Sequence, residues 1–248
     1  MASSNESGNA KNVANFDLLI SAAVGYGSAY NPSKTSIQVL ELKNLSALAK
    51  SALRDVNAVL PTYSNAVASR EVAIAPLSKL TTRLLNALKA SDTTEQVIDN
   101  AKTIVRKIQG QRATPKKTEE QKAALASEGK VTKEVSASQM SYDSRLDNLD
   151  KLIQLLASVP TYTPNETDLQ VVTLQAYYAD LYAKNTAVSE AATPLSNARI
   201  TRDSILYTPK TGLVDIAMDC KAYVKSVFGP TSPQYKQISK LAFTVFKP

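Results

Sequence analysis

One helical pattern occurs twice in this chain, with matching residues a constant 132 positions apart, and that repetition limits what the chain can fold into. Tyr30, Pro32, Thr35, Gln38, Val39 and Leu42 return as Tyr162, Pro164, Thr167, Gln170, Val171 and Leu174. Further along, Ser64, Asn65, Ala66 and Arg70 return as Ser196, Asn197, Ala198 and Arg202, with Glu71 answered by Asp203. Ten identities at one offset in two short windows read as an internal duplication. The fold is then one that a single chain builds from two similar halves.

Residue usage says what those halves are made of. Ala, Leu, Lys and Gln fill the periodic stretches, only seven glycines interrupt them, and no alternating β-branched pattern stands out. The expected class is all-α, with internally duplicated four-helix-bundle units. Residues 1–12 read as a polar tail, 13–110 as helical unit A, 111–135 as a polar linker with a helical stretch at 118–126, and 136–248 as helical unit B.

In unit A a short helix over 13–24 is broken by the Gly- and Pro-bearing segment 25–33. A long helix follows, with Leu42, Leu45, Ala49, Leu53, Val56, Leu60, Tyr63, Val67, Arg70 and Ile74 spaced in threes and fours along one face. Pro61 lies inside it, yet the face keeps its phase, so one kinked helix is expected rather than two. Two shorter helices complete the unit over 77–90 and 94–108, the second capped by Ser91 or Asp92, and Gly110 closes it. Unit B repeats the plan. A helix spans 136–159 and a break spans 160–164. The long helix follows, with its face through Leu174, Tyr178, Leu181, Asn185, Val188, Ala192, Leu195, Arg199, Arg202 and Leu206, and with Pro194 near the place of Pro61. A third helix starts at Pro209, and Ser232 caps a last one carrying Tyr235, Ile238, Leu241 and Phe243. A helix near 40 residues measures roughly 60 Å, so an elongated molecule is expected, as two bundles or one intertwined bundle.

The composition argues against most chemistry. There is no histidine, which removes the commonest general base and the usual imidazole metal ligand. The single cysteine, Cys220, forms no internal disulfide or thiolate cluster and reads as a small buried residue. No Gly-rich phosphate loop or EF-hand pattern is present. Asp143, Asp147 and Asp150 line one helix side and read as a solvated stripe. No catalytic residue, metal site, cofactor or small-molecule ligand is assigned.

The net charge of +7 is spread as +4 over 1–110, +2 over 111–140 and +1 over 141–248, without a dense basic run, so nucleic-acid binding is the weaker reading. The amino-terminal residues lack a hydrophobic signal region, and no apolar run spans a bilayer. A cytoplasmic protein is expected, with leaderless export as the alternative.

Two groups of residues remain as candidate interface or structural polar positions. Arg70 and Arg202 lie on the apolar faces beside Asn65 and Asn197; a guanidinium there either clamps a partner's carboxylate or phosphate, or pairs within the fold, and the internal role is the expected one. Tyr177, Tyr178 and Tyr182 form an aromatic group, either a core edge with wet hydroxyls or a partner-binding patch.

The stretches Gln139–Leu149, Thr193–Ile200, Tyr223–Gly229 and Ser232–Tyr235 resemble helical proteins of no known activity encoded in genomes of the Bacteroidota. The resemblance covers most of unit B and implies a bacterial origin; it transfers no functional residue. The expected function is a non-enzymatic structural or interaction protein. Its partner is itself, as a homo-oligomer or filament, or another protein for which it acts as an adaptor. A nucleic-acid-associated role is the remaining alternative.

Overall fold

The computed structural model describes residues 4–111 and 140–245. The linker expected from residue 111 lies, from 112 onward, outside the described residues, as do 136–139 of the helix expected to open unit B. Among the described residues there are eight α-helices and no strand. They are α1 Ser4–Gly25, α2 Val39–Ile74, α3 Leu77–Lys89, α4 Glu95–Gln109, α5 Tyr142–Ala157, α6 Val171–Tyr207, α7 Leu213–Phe228 and α8 Pro233–Ser239. None is long and apolar enough to cross a membrane.

Both long helices run unbroken through their prolines, Pro61 in α2 and Pro194 in α6. Proline leaves the carbonyl four residues earlier without its helical donor. Those carbonyls belong to Asn57 and Glu190, and all four residues are exposed, so the missing bond falls on the solvent side of each helix. The faces read from the three-four spacing turn inward along both helices: no position named on either face is exposed.

Helix ends follow local chemistry. Ser141 and Ser232 cap α5 and α8 by accepting the backbone N–H of Ser144 and Tyr235, each at 3.1 Å. The N-cap of α4 is Thr94, not Ser91 or Asp92, and it makes no side-chain cap bond. Gly110 ends α4 in the left-handed region at φ 69°, which lets Gln111 N–H reach Arg106 O at 2.8 Å.

Three boundaries differ from the sequence reading. Helix α7 begins at Leu213 rather than Pro209, because the chain first makes a turn in which Gly212 N–H reaches Thr208 O at 2.7 Å. Helix α1 begins at Ser4 rather than Val13, because Asn9 and Asn12 continue its buried face as polar residues, 1% and 2% exposed. The last helix ends at Ser239, so Leu241 and Phe243 lie beyond it in a non-helical segment.

The segments before the two long helices share one local structure. A 3-10 turn covers Thr35–Ile37 in one and Thr167–Leu169 in the other. The tyrosine hydroxyl seven residues back crosses each loop, Tyr30 to Ile37 O at 2.7 Å and Tyr162 to Leu169 O at 2.9 Å. The glutamine side chain donates to the proline carbonyl, Gln38 to Pro32 at 3.3 Å and Gln170 to Pro164 at 3.4 Å. The glutamine carbonyl then accepts the first helical bond, from Leu42 and from Leu174, both at 3.0 Å. Tyrosine, proline and glutamine recur at the shared offset because together they build this turn.

Two compact units divide the described residues, and their limits do not coincide with the sequence boundaries at 110 and 136. The first contains the chain up to Ser64 together with the chain from Glu190; the second runs from Asn65 to Ser189. Each has its own core. Phe16, Leu19, Leu42, Leu206, Leu213 and Cys220 are among the buried residues of the first. Leu77, Leu84, Leu88, Leu149, Leu152 and Leu174 are among those of the second. In the second unit α4 packs on α3 and α5; in the first, the short α8 packs on α1 and α7.

Candidate functional site

In the second unit, Arg70 on α2 faces the start of α5 and the middle of α6. Its guanidinium lies 3.6 Å from the centre of the Tyr142 ring, a cation–π contact, and its Nη1 donates to Asn185 Oδ1 at 3.1 Å. Asn185 Nδ2 donates in turn to Asp143 Oδ1 at 2.7 Å. The amide thus carries the pairing from cation to carboxylate: its oxygen faces the charge donor and its N–H₂ the acceptor. Arg70 Nε and Arg145 Nε are enclosed without a hydrogen-bond partner.

Arg202 stands at the matching place in the first unit but solves the problem differently. It is 5% exposed, and its Nε and Nη2 both reach Oδ1 of the adjacent Asp203 at 2.8 Å. The sequence pattern therefore places an arginine on the inward face twice, while the partner differs each time. Asn65 and Asn197 are exposed.

The tyrosines separate by role. Tyr177 is half-buried and donates to Ala73 O at 2.7 Å, and burial raises its hydroxyl to about 12. Tyr178 is partly buried against the core, and its ring lies 6.2 Å from that of Tyr182, which is 58% exposed. Of these three, Tyr178 and Tyr182 make an aromatic pair that reaches the surface through Tyr182.

The turn preceding each long helix is tied to a helix of the same unit by an ion pair of opposite sense. Arg83 on α3 pairs with Asp168 of one turn; Asp219 on α7 pairs with Lys34 of the other. The Arg83 pairing raises the arginine and lowers the aspartate, though both are solvent-exposed and screened. Arg83 lines two surface grooves. One, of about 550 Å³, is lined by Asn86, Ser91, Thr161, Asn165 and Glu166; the other, of about 440 Å³, is lined by Leu80, Thr173, Leu174 and Tyr177.

Cys220 is fully buried, 3.0 Å from the Tyr30 hydroxyl. That hydroxyl spends its proton on Ile37 O, so the thiol donates to the tyrosine oxygen. Burial raises the thiol from 9.0 to about 11, which keeps it protonated and unreactive at neutral pH. Among the described residues no group of three or more Cys, Asp or Glu side chains is placed to hold a metal ion.

A further polar cluster was invisible to hydrophobic pattern reading. Asn12 on α1 holds Thr244 by both its main-chain groups: Nδ2 donates to Thr244 O at 2.8 Å and Oδ1 accepts Thr244 N–H at 3.0 Å. Asn15 Nδ2 donates to Ala242 O at 2.7 Å. From α7, Lys221 Nζ donates to Leu241 O at 2.5 Å and Ser239 O at 3.2 Å, and lies 5.3 Å from the Phe243 ring. Burial lowers the lysine's proton affinity. The one clue in the sequence was the Asn9, Asn12 and Phe16 spacing, which is helical.

No protein-family model, curated protein or solved structure matches the chain.

Proposed function

We propose that this is a non-enzymatic structural protein that associates with copies of itself through repeated helical surfaces. The observation that carries the reading is an apolar residue left in solvent at the same register of both long helices. Leu40 and Val172, the second residue of α2 and of α6, stand 132 positions apart and are 67% and 68% exposed. Each continues down an outward face: Ala47 and Leu48 on α2, and Ala176, Ala179 and Ala183 on α6, all exposed. One exposed apolar residue needs no explanation, but the same one in two matching places offers two equivalent contacts.

The arrangement of the units supports the same reading. We take the chain as an internal duplication of bundle-forming repeats, because two matching turns feed two matching helices. Each compact unit then combines the front of one repeat with the back of the other. A single repeat would complete its core only by exchange with a second copy, so the duplicated chain has the form of a fused, exchanged dimer.

Size-exclusion chromatography with light scattering tests the proposal. Particles larger than the 26.7 kDa chain should persist at high salt and return to one chain when Leu40→Asp and Val172→Asp are combined. A single-chain mass at every concentration, or an oligomer indifferent to both substitutions, would refute it.

A further inference from the structure

We infer that the face formed by α1 and α7 is a receptor for an extended peptide, and that its donor in an assembly is Leu241–Val245 of a second copy of this chain. The second-copy donor rests on the self-association reading above; the receptor does not.

The argument starts from backbone accounting. Beyond Ser239 the chain leaves the helix: Leu241 N–H still reaches back to Ile238 O at 3.1 Å, but among the described residues the C=O of Leu241 and the main-chain groups of 242–245 have no helical partner. Asn12, Asn15 and Lys221 supply partners for four of them, Leu241 O, Ala242 O and both groups of Thr244, and every one of these bonds goes to main chain. Holding both groups of one residue with one amide is how a side chain reads an extended strand without reading its sequence. The side chains add the packing: Leu241 and Phe243 lie partly buried against the core of the first unit.

The receptor is also built to be filled. Asn12 is 2% exposed and Asn9 1%, and the Tyr207 hydroxyl, donating to Asn9 Oδ1 and accepting from Asn12 Nδ2 at 3.2 Å, fixes the Asn12 amide. Without a strap, that oriented amide would face a groove lacking its partners, a costly state for a buried polar group. In the second unit the comparable face of α5 is covered by the 15-residue α4. The first unit has only the seven-residue α8, and the strap completes it. None of these bonds requires the strap to come from the same chain, and it is joined to α8 only through Lys240. A strap from a second copy would make the same contacts.

The test uses full-length protein carrying Thr244→Pro, which removes the N–H that Asn12 accepts and loosens the resident strap. A fluorescent peptide of residues 239–245 should bind this variant saturably by anisotropy. Adding Asn12→Ala should weaken binding at least tenfold, and a peptide with proline at the Thr244 place should not bind. Phe243→Ala serves as the receptor should the proline variant not fold. A folded receptor that ignores the peptide, or binds it equally with Asn12→Ala, overturns the inference. Light scattering separates the two readings. Oligomers insensitive to Thr244→Pro and Asn12→Ala would sink the strap exchange while leaving self-association standing. Peptide capture by a protein that is a single chain at all concentrations would uphold the receptor and rule out the second-copy donor.

Discussion

Replacing Tyr30 and Tyr162 by phenylalanine, singly and together, applies one perturbation to two matching turns. Both tyrosines are 6% exposed, and their acceptors are the carbonyls of Ile37 and Leu169, residues 3% and 5% exposed. Phenylalanine keeps the ring and its packing, so the change isolates one hydroxyl. A buried hydrogen bond contributes about 1 kcal/mol net, and stranding its acceptor adds to the loss, which puts each substitution near 1–2 kcal/mol. Because the two sites lie in different compact units and share no partner, the double variant should lose the sum within about 0.5 kcal/mol. Tyr30→Phe also removes the oxygen that accepts the Cys220 thiol, a weak bond, so its cost should be equal or slightly larger. Urea unfolding followed by circular dichroism reads these values directly. If either variant matches the parent midpoint, the hydroxyl does not hold its turn, and the account of why tyrosine recurs at the shared offset fails.

Two further outcomes follow from buried groups. The Cys220 thiol is raised from 9.0 to about 11, so the unfolded chain gives up this proton first; stability should be unaffected below pH 9 and fall by about 1.4 kcal/mol per pH unit between 9 and 11. Comparing the parent with Cys220→Ala removes that slope together with the part of the Tyr30 and Tyr26 shifts that Cys220 causes, while Tyr162, Tyr177 and Lys221, which is lowered and acts in the opposite sense, are common to both proteins. Arg202→Ala should cost about 2 kcal/mol, or roughly 4–8 °C in melting temperature for a chain of this size, and should change association little. Lost association with unchanged melting would assign the residue to an interface instead.

The sequence was most readable where packing alone decides structure. The positions read from three-four spacing face inward along α2 and α6, and continuity through Pro61 and Pro194 follows because those prolines leave their orphaned carbonyls on the solvent side of each helix. Legibility fell where a polar side chain does the work of an apolar one. Asn9 and Asn12 occupy the buried face of α1, so a hydrophobic pattern begins too late there and takes nine helical residues for a tail. The same asparagines explain the opposite error at the other end. Tyr235, Ile238 and Leu241 keep a helical spacing, but beyond Lys240 four main-chain groups are taken up by Asn12, Asn15 and Lys221, and those contacts lie more than 220 residues away in the case of α1.

A repeat in sequence marks which residues perform the same local task; it does not mark which residues share a core. The two turns with tyrosine, proline and glutamine illustrate the first point, since the tyrosine and glutamine side-chain bonds that cross the loop in one are present in the other. The arginines illustrate the second. Arg70 reaches Asn185 across 115 positions and stacks on Tyr142, whereas Arg202 turns to its neighbour Asp203, although both stand at the shared offset. Spacing within a helix records the need for a residue on its inward face, because that need is set by the helix itself. The partner is set by whichever segment packs there, and the packing segments come from both halves of the chain: residues up to Ser64 with those from Glu190, and the stretch between them. Substituting one partner, as in Asn185→Leu, should therefore weaken the second unit and leave the environment of Arg202 unchanged.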